Sequence, residues 1–265
     1  MVFCLWCALL GFAAPVLAAS PAENSGIWWN PNEPGWGLSI QRNDEGVTFA
    51  AWFTYDKSGR ATWYHMPNGQ PVAPNVVEGE VYHPTGPSFA LPVFDPKLVT
   101  VGPSVGHFRI EWQDDVNATF IFEVEGVKGT RTIKPFLYTL YYEREILWNP
   151  NESEWGFAKY YGGTTNSPYA YRADFAIWFT YNEKGATWFV VSDSNRSFNG
   201  FDGSIIQGAA YSYFGPPLAP VFDPGAVSGE RVGSILYYDG TGPGVFEYTI
   251  GSVSGVKRGV VPFRF

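Results

Sequence analysis

AAWFTYDKSGRATWY, residues 50–64, returns in altered form as AIWFTYNEKGATWF, residues 176–189. In the first stretch Phe49, Ala51, Phe53 and Tyr55 fall on one face of an extended chain while Ala50 and Trp52 fall on the other. Phe175, Ile177, Phe179 and Tyr181 repeat this pattern against Trp178. A strand that is apolar on both faces has to be covered on both. Asp56-Lys57-Ser58-Gly59 and Asn182-Glu183-Lys184-Gly185 are hairpin turns, with Gly where a positive φ is needed, and each leads straight into a second strand.

Working outward, the repetition extends from end to end. WWNPNEPGWG at 28–37 returns as LWNPNESEWG at 147–156, LPVFDP at 91–96 as APVFDP at 219–224, and IKPFLY at 133–138 as VVPFRF at 260–265. The chain is a tandem duplication of units far longer than the roughly 20–50 residues of a solenoid repeat. Aromatic residues make up 18% of the chain and charged ones only 16%, with 30 Gly and 21 Pro, a profile that predicts many short strands joined by turns. Phe120, Phe122 and Val124 alternate with Ile121 and Glu123, and Phe246, Tyr248 and Ile250 do the same in the second copy. Turn signals divide each unit into about eight strands. In the first they fall at 27–29, 37–42, 47–55, 61–66, 79–82, 105–112, 118–125 and 130–138. Sequential antiparallel strands with short links favour closure, which removes exposed edges. The expected fold is therefore all-β, two tandem antiparallel barrels over 26–138 and 146–265, joined by a linker at 139–145 short enough to bring the barrels into contact.

The opening Gly26–Ile40 resembles the first hairpin of avidin-like and other calycin barrels. More broadly, the WxNPxExGxG opening followed by WFTYDxxGxxTWY resembles a repeat of secreted proteobacterial proteins of undetermined function, a likeness that implies export and carries no activity. The second copy departs from the pattern at Glu154, where the first has Gly35; in a later strand, the second copy has Val190 where the first has His65.

Met1–Ala18 has no charged residue, an apolar run and a Val16-Leu17-Ala18 exit, the features of a signal segment cleaved after Ala18 or Ala19, although the usual basic start is missing. Secreted or periplasmic localisation is expected. Cys4 and Cys7 both lie in that segment, which would leave the mature chain without thiols or disulfides. A net charge of −8, with Lys and Arg scattered, argues against nucleic-acid partners.

Among the duplicated tryptophans, Trp52 and Trp63 read as core. Trp36 and Trp155 follow a Pro- and Asn-rich turn, where a flat aromatic face beside carboxylates and amides suits a sugar or another amphipathic ligand. The expected site therefore comprises Trp36 and Trp155 as platforms, Glu33 and Glu152 as anchors, and Asn30 and Asn149 beside them. The partner is a small molecule or glycan, with no cofactor and no metal. A carbohydrate-active hydrolase would instead pair Glu33 and Glu152 with Asp95 and Asp223, but Asn-Pro-Asn and Asp-Pro are also plain turn chemistry. His65, His83 and His107 have no metal-site spacing. An outer-membrane barrel of sixteen strands ending at Phe265 is a further alternative, opposed by Pro262 and by the internal equivalent of that strand, so stable membrane insertion is not expected. An aromatic scaffold for another protein is the remaining one.

Overall fold

The computed structural model describes residues 24–136, 142–163, 172–198, 204–239 and 242–264. The first unit consists of β1 (Gly26–Trp29), β2 (Gly37–Arg42), β3 (Thr48–Tyr55), β4 (Ala61–Ala73), β5 (Val76–Val81), β6 (Gly106–Trp112), β7 (Ala118–Val124) and β8 (Val127–Pro135). The second consists of β9 (Tyr142–Trp148), β10 (Gly156–Gly163), β11 (Arg172–Asn182), β12 (Gly185–Phe198), β13 (Ser204–Phe214), β14 (Ser228–Tyr238), β15 (Gly244–Ile250) and β16 (Val253–Pro262). Each set forms an up-and-down antiparallel sheet closed on itself, through β1–β8 in one and β9–β16 in the other. The closing bridges repeat: Trp29 pairs with Lys134, and its counterpart Trp148 with Val261. Two closed barrels of eight strands replace the single sixteen-stranded alternative. Residues 139–141 of the expected linker and the whole of the expected signal segment lie outside the described residues, and β9 begins at Tyr142.

The turns act as their chemistry demands. Asp56 Oδ1 accepts from the backbone N–H groups of Ser58 (2.7 Å) and Arg60 (3.0 Å), and Asn182 Oδ1 accepts from that of Lys184 (2.8 Å). Gly59 and Gly185 adopt φ of +77° and +116°.

β3 shows why its two faces are both apolar. Ala50 and Trp52 point into the first barrel, where Trp52 packs on Tyr64, Phe108, Phe120 and Phe122 at ring distances of 4.6–5.9 Å. Ala51, Phe53 and Tyr55 point outward into the second unit's cluster. The interface is nearly two-fold symmetric: Trp63 Nε1 donates to the Thr180 carbonyl, its counterpart Trp188 Nε1 donates to that of Thr54, both at 3.0 Å, and the equivalent residues Phe53 and Phe179 meet at 5.8 Å. Two indole donors thus satisfy backbone acceptors across a buried contact, which ties the barrels together without a thiol.

The units also exchange plugs. The segment between β5 and β6 crosses to the second barrel, where Phe89 packs on Trp178, Phe189 and Tyr248 (5.4–5.9 Å) and its carbonyl accepts from Tyr248 Oη at 2.7 Å. In return, the segment between β13 and β14 lays Leu218 and Phe222 against the first barrel's core. Gly86 and Gly215 start these equivalent crossings. A Cβ there would sit 2.5 Å from the Tyr181 ring in one case and 2.2 Å from the Tyr55 ring in the other, so glycine is required by close approach. At the first barrel's far end Arg42 lies 4.2 Å over Trp112, and burial pushes its guanidinium down to about 10.

Candidate functional site

Glu33 and Glu152 close the two plugged mouths. Glu33 accepts from Trp36 Nε1 at 3.3 Å and pairs with Arg131 Nε at 3.0 Å. Glu152 accepts from Trp155 Nε1 at 3.1 Å and pairs with Lys257 Nζ at 2.7 Å. Arg131 also donates to the plug carbonyls of Ala219 (3.1 Å) and Pro220 (2.6 Å), while Lys257 sits 4.7 Å from the ring of Phe94. Sequence reasoning passed over this basic pair, whose only signal was a cation at the same offset in both copies.

The expected platforms are accordingly enclosed, with Trp36 6% and Trp155 2% exposed. They do not stand at open barrel mouths, because the other unit's plug covers them: Phe222 packs at 6.5 Å from Trp36. Asn30 Oδ1 accepts from the Asn32 amide at 3.0 Å within its turn, and the buried Asn149 donates to the Arg258 carbonyl at 3.0 Å. Asp95 and Asp223 cap short 3-10 turns by accepting from the Lys97 and Gly225 amides (3.0 and 2.9 Å). The four carboxylates weighed for hydrolysis thus each hold local structure. Each histidine faces a different carboxylate, His83 beside Glu125 (3.3 Å), His107 beside Glu78 (3.7 Å) and His65 beside Glu154 (4.0 Å). Among the described residues no group of three or more His, Cys, Asp or Glu is arranged to hold a metal.

Aromatic side chains pack the core of each barrel, and two grooves lie between the barrels. One groove of about 380 Å³ is walled by Trp29, Trp36, Phe53, Phe136, Phe175 and Trp188, with Val190 and Gly35 among its other residues. A second, of about 180 Å³, is walled by Phe49, Trp63, Trp148, Trp155, Phe179 and Phe263, with His65 and Glu154. The two are the same place in the duplicated frame. Trp29 corresponds to Trp148, Trp36 to Trp155, Phe53 to Phe179, Phe136 to Phe263, and Trp188 to Trp63. Each groove has an aromatic ladder, Trp29–Phe136–Phe175 at 5.2 and 4.7 Å in one, Trp148–Phe263–Phe49 at 5.6 and 5.3 Å in the other. Trp36 and Trp155 each border a groove, beside the WNPNE turns.

The grooves differ in polarity. Where the larger has Val190 and Gly35, the smaller has His65 and Glu154, so two departures from the repeat, one in each copy, meet in one cavity. Gly35 has φ +119° and no room for a Cβ, which would stand 2.6 Å from Val227. Glu154 keeps a left-handed backbone at φ +70°, a strained conformation for a non-glycine residue. Burial, with the nearby His83 adding to it, pushes the His65 imidazole down to about 4. Burial pushes the Glu154 carboxyl up.

No family model matches the chain, nor does any curated protein or solved structure.

Proposed function

We propose that this chain is an exported, non-enzymatic binding protein whose ligand, a small amphipathic molecule such as an aromatic glycoside, lies in the larger inter-barrel groove. The observation that carries this reading is the groove itself. Its volume of about 380 Å³ falls in the range of small-molecule sites, roughly 300–1,000 Å³. Its walls are built by side chains already fixed in both barrels, so little ordering accompanies binding. The ladder Trp29–Phe136–Phe175 offers flat faces to a ring, while the rim is open to water for a polar group.

Charged outer faces support a water-facing molecule over a lipid-facing one: Glu78, Arg109 and Glu111 form ion pairs across the outside of β5 and β6, and Lys128 pairs with Glu123 at 2.9 Å on β7 and β8. No helix among the described residues is long and apolar enough to cross a membrane. Export rests on the composition of Met1–Ala18 and is checked by N-terminal sequencing of protein recovered from outside the cytoplasm, which should begin near Ala19.

Binding is tested with phenyl β-D-glucoside, followed by tryptophan fluorescence and by native mass spectrometry of detergent-free protein. One equivalent should bind, and Val190→Phe, which fills the groove wall, should abolish binding with the melting temperature retained. Unchanged binding in Val190→Phe would remove the groove from consideration.

A further inference from the structure

The smaller groove has a polar inventory that its apolar twin lacks and that the protein leaves unmatched. Among the described residues no Lys or Arg lies within ion-pair distance of Glu154; its one charged-type neighbour is His65, at 4.0 Å, too far for a hydrogen bond. His65 is 3% exposed and its Nε2 has no hydrogen-bond partner. The hydroxyl of Tyr181, whose ionisation burial and the Glu154 charge both disfavour, is buried and unpartnered as well, whereas its counterpart Tyr55 donates to the Gly35 carbonyl at 2.6 Å. Buried polar groups without partners are uncommon in folded proteins and each costs stability. Here two, on His65 and Tyr181, lie close to Glu154, a residue in strained backbone geometry on the cavity wall, a combination that accompanies functional sites.

The chemistry of these groups selects the ligand. Glu154 is a carboxylate that only accepts. His65 lies beside it with Nδ1 facing that carboxylate at 4.0 Å, and as a neutral imidazole it keeps one ring nitrogen as a second acceptor. Trp63, Trp148 and Trp155 add indole faces, whose electron-rich centres attract cations. Two acceptors and an aromatic enclosure call for a positively charged donor, and the net charge of −8 favours its approach. The volume of about 180 Å³ limits the body to one ring and a short arm, since a cavity of ~150 Å³ holds benzene in another protein.

We propose that the smaller groove is a binding site for a primary organic ammonium ion carrying a single apolar ring, with Glu154 as its counter-ion, His65 as a hydrogen-bond acceptor and the three tryptophans as its walls. This shares with the preceding reading only the idea that inter-barrel grooves hold ligands. Either can fail alone, because the neutral glucoside and the ammonium probe address different grooves.

The test is calorimetric titration of the whole protein with 2-phenylethylammonium chloride and, as neutral isostere, 2-phenylethanol. The ammonium should bind about tenfold tighter or better, as expected for a charge-assisted contact. Glu154→Gly, which installs the residue of the other copy, should remove that preference with no loss of melting temperature, and Glu154→Gln should remove it with the side-chain volume retained. Val190→Phe should leave it intact. Equal affinities for the two probes, binding of neither, or a preference that survives Glu154→Gln would each overturn the assignment and leave His65 and Glu154 as a tolerated structural pair.

Discussion

Replacing Arg131 by Met separates the two jobs this side chain performs. It is the ion-pair partner of Glu33 at 3.0 Å, and it ties the second unit's plug to the first barrel through the carbonyls of Ala219 and Pro220. Removing one member of a buried pair costs about 3–5 kcal/mol, and with the Glu33 side chain still 21% exposed the lower end applies, about 3 kcal/mol. Each lost bond to a plug carbonyl adds about 1 kcal/mol, giving about 5 kcal/mol in all. Lys257→Met is the internal control. Lys257 pairs with Glu152, whose side chain is 23% exposed, but bonds no plug carbonyl, so that variant should lose about 3 kcal/mol. Urea unfolding measures both costs, and hydrogen exchange with mass spectrometry reads residues 215–227 directly. Arg131→Met should speed exchange of that segment, while Lys257→Met should leave it protected. Equal costs for the two variants, or an unchanged segment 215–227 in Arg131→Met, would refute the idea that Arg131 fastens the exchanged plug.

Trp36→Ala and Trp52→Ala should both cost about 3–5 kcal/mol in thermal or urea unfolding, because Trp36 packs on Trp52, Phe120 and Phe222 within 6.5 Å. Gly215→Ala should cost about 1–3 kcal/mol by overpacking the Tyr55 ring, read as a lowered urea midpoint. The His65 imidazole, pushed from 6.5 down to about 4, takes up its proton more readily in the unfolded chain. Its contribution is therefore intact above pH 6.5 and is lost as the pH falls toward 4, by about 3 kcal/mol at the lower limit. His65→Val should flatten that part of the stability-against-pH curve, and an unchanged slope would show that His65 is not its source.

Several features follow from the sequence because they are local or periodic. Phe120, Phe122 and Val124 alternate, so their strand must turn one face inward. Trp52 with Phe53 and Tyr55 requires cover on both sides, and Gly59 and Gly185 mark the turns that follow. The turn spacing divides each copy into eight strands, and closure into barrels follows from the need to remove edges. The WNPNE turns also drew attention to the region beside which the grooves lie. Contacts between segments far apart in the chain required the tertiary structure. Nothing in LPVFDP or APVFDP announces that each crosses to the other barrel, so the burial of Trp36 and Trp155 could not be read from their turns. Arg131 and Lys257 looked like ordinary strand cations until the fold set them beside Glu33 and Glu152. His65 and Glu154, each visible as a break in the repeat, become a pair only because the interface is two-fold symmetric: that symmetry carries a change in the first copy and a change in the second into the same groove. Periodicity reports which face of a strand is buried, but which distant surface buries it depends on how the two closed barrels dock, and there the decision belongs to packing across the interface.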